Sequence, residues 1–527
     1  KPRGSYNCRR CGQPKKGHVC LLPPPPLTTD SAAVTPTVSS TSKPPPSVSS
    51  ICSIRTMPVS LVWEVMRRLP PATLLTAAKV CTDWRDVIQQ LWKAAEEVRV
   101  RVPAKTPVGY VTSVLQKCCS NLVRLSLTME SLMVNVNDMD STMLACIAFA
   151  CPNLESLAIR MCEGSFNRVT GDELGRFVAE KRCLTTLKME GCSNLGSFVL
   201  CSNILSTLWL SDLHSLSKMV FNTPNLIEIS LDFSRQENDS TDLTSMMDGL
   251  GRTCPRLQNI HIASLQLSHS VVLSLTAANL RGLRMLSLVL GSEITDASVV
   301  AISKCYSNLE LLDLSGSSIS DTGLGMICNI FPETLTRLLV ALCPNITSSG
   351  IQFATAQLPL LELMDCGMTI CDSDAQPPTS GEKSDSSLHT SPNSKLHLTH
   401  QKLFIKHARL KRLSLWGCYS LDSLYVSCPN LNDLNLNSCT NLSPEKLVLQ
   451  CPKLESVHAI GCEDVLIQAV QTQVSDDFAS LENRYSCKRM ADGSKRVGIP
   501  FSFSQQLPDY DRTSWKIRKR RCTVVVE

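Results

Sequence analysis

Four side chains near the beginning of the sequence have the types and the spacing to bind a metal ion. Cys8, Cys11, His18 and Cys20 follow the pattern Cys-x2-Cys-x6-His-x-Cys, and thiolate and imidazole are the ligands that zinc prefers. Two glycines within this run permit the tight turns of a compact site. The pattern predicts one tetrahedral zinc ion held by residues 1–22, with free thiols in a disordered tail as the alternative.

Charge is distributed unevenly along the chain. The net charge is +5 over 527 residues, but residues 1–22 contain six basic residues and no acid, and residues 476–527 contain eleven basic and seven acidic residues. The residues between these two ends therefore carry a net charge of −5. An acidic body of this size is not a nucleic-acid-binding surface, which confines any such role to the ends of the chain.

Composition separates folded from unfolded segments. Residues 23–55 are dominated by Pro, Ser and Thr, and the stretch at about 370–400 by Ser, Asp and Pro. Both contain too few large apolar side chains to offset the loss of chain entropy, so we expect a disordered linker and a disordered insertion. Residues 476–527 form a tail whose basic run at 516–521 is typical of a nuclear import signal or of a solvated charged segment.

After the first linker, apolar residues recur at helical spacing in three short segments. The segment contains Met57-Pro58, Leu69-Pro70-Pro71, Leu74-Leu75 and Val80-Cys81-Thr82-Asp83-Trp84-Arg85. In these motifs residues 56–100 resemble the F-box, a unit of three helices that inserts into the adaptor subunit of SCF-type cullin ubiquitin ligases. The resemblance implies nine adaptor contacts: Pro58, Leu61, Val62, Val65, Leu69, Pro70, Leu74, Leu75 and Val80.

From residue 122 to about residue 462 the sequence repeats the pattern Leu-x-x-Leu-x-Leu, with other apolar residues at some positions. The copies begin at residues 122, 154, 184, 205, 226, 257, 283, 309, 335, 361, 410, 431 and 454. This spacing matches the leucine-rich repeat, in which each unit adds one strand to a curved parallel sheet. We therefore expect an α/β fold: a leucine-rich-repeat solenoid of about thirteen units over residues 110–475, preceded by the small F-box. Units only 21 residues long predict short strands, not helices, in the outer layer.

Cysteine occurs 26 times, and eleven of these cysteines occupy two fixed places in the repeat. Six lie eight residues after the first Leu of a unit: Cys162, Cys192, Cys343, Cys418, Cys439 and Cys462. Five lie three residues before it: Cys119, Cys151, Cys254, Cys428 and Cys451. The arrangement is similar to the plant-like, cysteine-containing repeats that commonly follow an F-box. We expect these thiols to be buried and structural, with no catalytic role.

The residues between the Leu positions predict a binding surface on the concave side of the sheet. Eleven acidic and seven basic side chains fall there, which favours a basic target. Exposed aromatic side chains often anchor partners, although a solvated face with incidental aromatics is the alternative. The candidate substrate contacts are Lys188, Trp209, Phe233, His261, Arg412, Trp416 and His458.

The sequence also bears on the compartment. It opens without an apolar signal segment and contains no run of 18 apolar residues, so we expect a reduced, intracellular protein without a membrane span. We expect it in the nucleus, the cytoplasm or both, and the basic run favours the nucleus. The N-terminal segment is similar to a zinc knuckle, whose usual spacing is Cys-x2-Cys-x4-His-x4-Cys.

Together the resemblances imply a substrate-recognition subunit of an SCF ubiquitin ligase. The F-box would bind the adaptor and through it a cullin, and the solenoid would capture an unknown protein for ubiquitination and proteasomal degradation. No nucleophile, phosphate loop or paired acid site is evident in the sequence, so we predict a non-enzyme. The alternatives are a nuclear, nucleic-acid-associated protein that uses the zinc segment and the basic tail, and a leucine-rich-repeat scaffold or small-molecule receptor.

Overall fold

The computed structural model describes residues 58–102, 109–118, 121–129, 141–162, 167–235, 238–278, 280–370, 401–485 and 522–525. The predicted zinc ligands Cys8, Cys11, His18 and Cys20, the linker at 23–55, most of the insertion and the basic run at 516–521 lie outside the described residues. Within the described part of the chain, no helix is both long enough and apolar enough to span a membrane.

The described chain begins with three short helices. They are α1 (Val59–Met66), α2 (Pro71–Ala77) and α3 (Thr82–Ala94). Proline at the first position of α2 needs no amide partner there, and the Cys81 sulfur accepts a hydrogen bond from the Trp84 amide at 3.4 Å at the start of α3. The predicted three-helix unit is confirmed.

In the described part of the chain, fifteen parallel strands form one continuous sheet. They are β1 (Glu97–Val102), β2 (Arg124–Met129), β3 (Ser156–Met161), β4 (Thr186–Met189), β6 (Thr207–Leu210), β8 (Glu228–Asp232), β9 (Asn259–Ala263), β10 (Met285–Val289), β11 (Leu311–Asp313), β12 (Arg337–Leu339), β13 (Leu363–Asp365), β15 (Arg412–Ser414), β17 (Asp433–Asn435), β19 (Ser456–His458) and β20 (Thr523–Val525). Each of the thirteen predicted units contributes one strand, which confirms the predicted solenoid.

The chain returns between these strands through an outer layer. Its helices are α4 (Gly109–Cys118), α5 (Ser141–Ala150), α6 (Gly171–Glu180), α7 (Leu243–Thr253), α8 (His269–Ala277), α9 (Asp296–Cys305), α10 (Asp321–Ile330), α11 (Ser348–Gln357) and α12 (Asp464–Tyr485). The other units use strands instead, which form a pair, β5 (Ser197–Cys201) and β7 (Lys218–Asn222), and a triplet, β14 (Gln401–Lys406), β16 (Leu421–Ser427) and β18 (Leu447–Leu449). All of these units are short except the one that begins at residue 361, which contains the insertion. An extended strand crosses the layer in fewer residues than a helical turn and its caps require.

Three segment boundaries differ from the predicted ones. Strand β1 begins inside the segment assigned to the F-box, yet it pairs in register with β2 as the first strand of the sheet. Helix α12 continues to Tyr485, ten residues beyond the predicted end of the solenoid. Residues Thr523–Val525 of the predicted tail pair with β19. The sheet therefore gains one strand at each end.

A single apolar core connects the helices with the sheet. It extends from Val62 and Ile88 in the helical unit to Val470 and Val474 in α12. Side chains alternate along each strand, so the Leu positions fill the core and the intervening residues form the opposite, open face of the sheet. The helical unit is thus packed on the solenoid as one body.

Cysteines stabilise the turn after many strands. The thiols of Cys343, Cys418, Cys439 and Cys462 each donate a hydrogen bond to a backbone carbonyl of the preceding unit, at 3.0–3.3 Å. Cys192, Cys343, Cys418 and Cys439 are buried and Cys462 is partly buried. Cys162 differs from the prediction because it is exposed. Its amide still pairs with the Met129 carbonyl at 2.9 Å, so the strand pairing continues where other units have begun to turn inward.

Candidate functional site

The helical unit exposes several large apolar side chains. Val59, Leu61, Val65 and Val80 are 63%, 53%, 52% and 62% exposed, and Pro58 beside them in sequence is also exposed. Leu61 and Val65 are four residues apart and share one face of α1, while Val62 and Met66 on the other face enter the core. Water contact of this extent is unfavourable for apolar groups, so these residues are candidates for a partner surface.

Two of the nine predicted adaptor contacts lie in the core instead. Val62 and Leu74 are only 6% and 8% exposed and pack inside the helical unit, because apolar residues occur on every side of α1 and periodicity alone does not show which side is buried. Leu69 and Leu75 are partly buried against the same core, and Pro70 is exposed. Val59, which is not among the nine predicted contacts, is the most exposed apolar residue of α1.

The open face of the large sheet carries a row of side chains in strict register. The row takes one residue from each strand, and pairing along the sheet joins them in this order: Arg99, Ser126, Ala158, Lys188, Trp209, Ser230, His261, Ser287, Asp313, Leu339, Asp365, Ser414, Asn435, His458 and Val525. We call it the central row. It places side chains about 4.8 Å apart across the strands.

Lys188, Trp209 and Glu228 form one interacting cluster on three neighbouring strands. The Lys188 Nζ lies 3.1 Å from the centroid of the Trp209 ring, and the indole N–H donates to Glu228 Oε1 at 2.7 Å. Burial lowers the pKa of Lys188; Glu228 opposes this shift, and nearby Arg160 adds to it. The cluster fixes the orientation of Trp209, which remains 40% exposed.

His261, Ser287 and Asp313 form a chain of hydrogen bonds. The Ser287 hydroxyl donates to Asp313 Oδ2 at 2.7 Å, and His261 Nδ1 lies 2.7 Å from the same hydroxyl oxygen. Since the hydroxyl proton is committed to Asp313, Nδ1 carries the proton shared with Ser287. In a catalytic triad the imidazole stands between hydroxyl and carboxylate and removes the hydroxyl proton. Here the hydroxyl stands between the other two, so Ser287 is not an activated nucleophile.

Asp365 lies two strands beyond Asp313, with Leu339 between them. Its Oδ1 accepts the Gly367 amide at 3.0 Å. Burial raises the pKa of Asp365, and the charge of Asp313 adds to this shift, while hydrogen bonds from Gly367, Ser414 and Trp416 oppose it. Among the described residues, neither carboxylate has a Lys or Arg within ion-pair distance.

Five of the seven predicted substrate contacts lie in strands of the large sheet with their side chains on its open face, and Trp416 follows β15. Lys188, Trp209, His261 and His458 are in the central row, and Arg412 is exposed at the start of β15. The prediction is wrong for Phe233, because its side chain is fully buried. It lies two residues after the core residue Leu231 and therefore points to the same inward side.

Trp416 packs against a neighbouring repeat. It lies two residues after Ser414 of the central row and is partly buried. The indole covers Gly367 so closely that a Cβ at that position would lie 2.0 Å from Nε1. Together with its hydrogen bond to Asp365, this packing holds the ring beside the acidic part of the row.

Strand β1 adds functional candidates that the Leu template does not predict. Strand β1 alternates buried Val98, Val100 and Val102 with exposed Arg99 and Arg101. The alternation Glu-Val-Arg-Val-Arg-Val is itself a strand signal, but it lacks the Leu template. With β1 included, five basic side chains project from the first four strands: Arg99, Arg101, Arg124, Arg160 and Lys188.

Glu97 offsets part of this positive charge. Its carboxylate contacts Arg99 Nε at 2.8 Å and Arg124 Nε at 3.0 Å, and hydrogen bonds from Arg124 and Arg99 lower the pKa of Glu97. From β8 onward the charges of the open face are mainly acidic: Glu228, Asp232, Asp313, Asp365 and Asp433 against Arg337 and Arg412. Basic side chains thus concentrate at the end of the sheet next to α3.

Within the described ranges, no group of three or more His, Cys, Asp or Glu side chains could hold a metal ion. The four predicted zinc ligands are outside those ranges, so the zinc site stays a prediction.

The fold and these surfaces define a leucine-rich-repeat solenoid that carries a small helical docking unit at its first strand. The F-box-like family model matches residues 54–95. F-box/LRR-repeat protein 17 of Arabidopsis thaliana is 56% identical over an alignment of length 580, which covers all of this chain and 95% of that protein. The chain therefore belongs to the F-box/LRR-repeat protein family.

Two solved structures share lower similarity. A chain of the Rad7 and Elc1 complex in yeast aligns over 77% of this chain and 90% of its own length, with 15% identity and a TM-score of 0.42. A chain of the TLR13-ssRNA13 complex aligns over 70% of this chain and 60% of its own, with 16% identity and a TM-score of 0.31.

Proposed function

We propose that this protein is the substrate-recognition subunit of an SCF-type cullin ubiquitin ligase. Its F-box binds the adaptor and through it a cullin, and the open face of the solenoid binds a protein substrate that is ubiquitinated and degraded by the proteasome. Membership in the F-box/LRR-repeat family supports this role. The chain contributes no bond chemistry of its own.

The observation that carries the proposal is the exposure of Val59, Leu61, Val65 and Val80 on a unit whose other face is packed. Leu61 and Val65 share one face of α1, and adjacent exposed apolar side chains of this kind mark a site for a partner. Since each is already partly covered, burying the rest in a partner interface contributes about 1 kcal/mol per side chain. An adaptor with an apolar groove fits this surface.

The mechanism is proximity. Helix α3 ends at Ala94 and β1 begins at Glu97, and Asn121 Nδ2 donates to the Lys93 carbonyl at 2.8 Å. The solenoid therefore holds a bound substrate at a fixed position relative to the adaptor. This raises the effective concentration of substrate lysines near the charged conjugating enzyme.

A pull-down of the full chain with the purified adaptor tests the proposal. The parent chain should retain the adaptor, and the double variant Leu61→Asp, Val65→Asp should lose most of it. Both side chains are about half exposed, so the change leaves the core intact. Leu273→Asp in α8, at 48% exposure, is the matched control and should bind like the parent. Absence of binding by the parent chain would show that the proposal is wrong.

We also propose one zinc ion at Cys8, Cys11, His18 and Cys20 and a nuclear location that depends on residues 516–521. The zinc content of the purified chain, measured by mass spectrometry, should approach one equivalent and fall when Cys8 and Cys11 are replaced by Ser. A chain without zinc would leave the segment as free thiols.

Neutralising residues 516–521 should move a fluorescent fusion from the nucleus to the cytoplasm.

A further inference from the structure

The open face is electrostatically two-sided along the central row. Its first four strands carry Arg160 and Lys188, and the strands from β8 onward carry the buried carboxylate of Asp313 and the partly buried carboxylate of Asp365. A nucleic acid or other uniform polyanion would be repelled by the second region, and a uniformly basic chain by the first. We propose that this surface binds an extended protein segment that is itself two-sided, with acidic residues at one end and basic residues at the other. The inference rests on the proposed function, because it specifies the substrate of that same face.

The geometry sets the spacing of the charges in that segment. Five strand steps separate Lys188 on β4 from Asp313 on β11, through Trp209, Ser230, His261 and Ser287. At about 4.8 Å per step this is about 24 Å, which an extended peptide covers in about seven residues. Asp365 lies two steps further. The basic group of the segment therefore follows or precedes its acidic group by about seven to ten residues.

At both ends of the surface, contacts within the protein already hold the charged side chains in a fixed orientation. At the acidic end, Asp313 Oδ1 accepts the Ser315 amide at 3.1 Å and the Ser315 hydroxyl at 2.7 Å, in addition to the bond from Ser287. These donors hold the carboxylate in place without neutralising it by a cation. At the basic end, the ring of Trp209 fixes the Lys188 ammonium. Groups held in this way lose little side-chain entropy when a ligand binds.

The central part of the row suits uncharged residues. Trp209 is 40% exposed between the two charged regions, and its ring offers apolar contact to an aliphatic or aromatic side chain of the ligand. Ser230 and His261 follow and provide hydrogen-bonding groups. A segment with a neutral, partly apolar centre and opposite charges at its ends matches all three parts.

Fluorescence anisotropy with the full chain and labelled synthetic peptides tests the inference. The probe has two Glu, seven neutral residues including one Leu, and two Arg. The comparison peptide has the same composition with Glu and Arg alternating, so that no orientation separates the charges. We expect the first peptide to bind about tenfold more tightly, and to lose this advantage at high salt because exposed charges are screened.

A charge exchange supplies the second measurement. The variant Arg160→Glu, Lys188→Glu should weaken binding of the two-sided peptide about tenfold and strengthen binding of a peptide with Arg pairs at both ends. Lys304→Glu, on the outer helix α9, makes a control charge reversal off the sheet and should leave both affinities unchanged. Gain of affinity for the second peptide cannot result from misfolding.

Equal or undetectable binding of the two-sided and alternating peptides would overturn the inference, as would an unchanged affinity of the double variant. The adaptor pull-down on the same preparations keeps this result separate from the proposed function. Adaptor binding without discrimination between the peptides contradicts only the two-sided ligand, whereas loss of adaptor binding by the parent chain contradicts the ligase role.

Discussion

Thiols in this molecule serve as internal hydrogen-bond donors. The Cys439 sulfur is 3.1 Å from the Leu415 carbonyl and the Cys192 sulfur is 3.4 Å from the Met189 carbonyl. Burial raises the pKa of Cys192 and of Cys366, and it raises the pKa of Cys151 to about 11. Such thiols keep their proton at neutral pH, which is what donation to a carbonyl requires, and they form little of the nucleophilic thiolate.

Alkylation should therefore divide the cysteines by position. With iodoacetamide at pH 8 under native conditions, the exposed Cys162, Cys201 and Cys305 should react readily. Cys192 and Cys366, which are 1% and 0% exposed, should remain unmodified in peptide mass spectra until the chain is denatured. Modification of Cys366 at the rate of Cys305 would contradict the buried thiols.

Nine of the thirteen repeats turn inward through a residue with left-handed backbone geometry, seven positions after the first Leu of the unit. Glycine occupies this position at Gly417, where φ is 67°, and a non-glycine residue occupies it at Leu342, where φ is 58°. The neighbouring units approach closely at the turn: a Cβ at position 417 would lie 2.5 Å from Met368 Cγ. The repeat therefore imposes the left-handed geometry at this position, and both glycine and non-glycine residues adopt it.

Two identical substitutions should have opposite effects on stability. Gly417→Ala should lower the free energy of unfolding by about 1–2 kcal/mol, because a left-handed φ and the Met368 contact both disfavour a Cβ. Gly249→Ala, in the middle of α7 with nothing within 4 Å of the added carbon, should raise it by about 0.5–1 kcal/mol through helix propensity. Chemical denaturation of both variants measures the difference, and a shift of the same sign in both would refute this account.

One edge of the outer three-stranded sheet, at β18, is covered by a glutamine side chain. On β18, Gln473 Nε2 donates to the Leu447 carbonyl at 2.6 Å and Gln473 Oε1 accepts the Leu449 amide at 2.8 Å. The amide of this side chain therefore occupies the place of a further strand. An uncovered edge would be free to pair with another chain.

Replacement of Gln473 should open that edge. In Gln473→Ala the Leu449 amide loses its acceptor, so its hydrogen exchange should accelerate by at least about tenfold, which corresponds to about 1.4 kcal/mol of lost protection. Gln468→Ala, an exposed position on the same helix, is the control and should leave that exchange rate unchanged. Unaltered exchange at Leu449 in Gln473→Ala would show that the edge is covered by other groups.

The sequence predicts the elements that repeat with regular Leu spacing, and it does not predict features that depend on other contacts. Spacing of Leu residues gave all thirteen repeat strands, because the core tolerates little else at those positions. It did not give Arg99 and Arg101, whose strand is built from Val, or the burial of Phe233 beyond a strand end. Nor could it show that Ser287 lies between His261 and Asp313, since that contact depends on rotamers of residues on three strands.

Across the whole molecule, stability is carried from unit to unit through the shared core. Each strand contacts mainly its neighbours in the sheet, so the stability of a region depends on the adjacent units more than on distant ones. The helical unit is the neighbour of β1, and Ile88 and Trp92 of α3 belong to the same core as Val100. The F-box should therefore support the first repeats as well as bind a partner.

Truncation of a core residue at either end should have local effects. Ile88→Ala removes a side chain that is 1% exposed and should cost about 2–4 kcal/mol. We expect faster hydrogen exchange in β1 and β2 and unchanged exchange in β17 and β19. Leu434→Ala, fully buried in β17, should give the converse pattern. Uniform acceleration over all strands in either variant would indicate global unfolding and contradict the unit-by-unit coupling.

The two-residue connection between Ala94 and Glu97 has a consequence for selectivity in a ligase assembled on this chain. A flexible tether would let a captured protein tumble and present many lysines in turn. A rigid junction instead fixes the distance and the orientation of the bound segment relative to the adaptor. It therefore determines which part of the captured protein faces the conjugating enzyme. Two targets with the same binding segment would then differ in their rate of modification according to where their lysines lie around it.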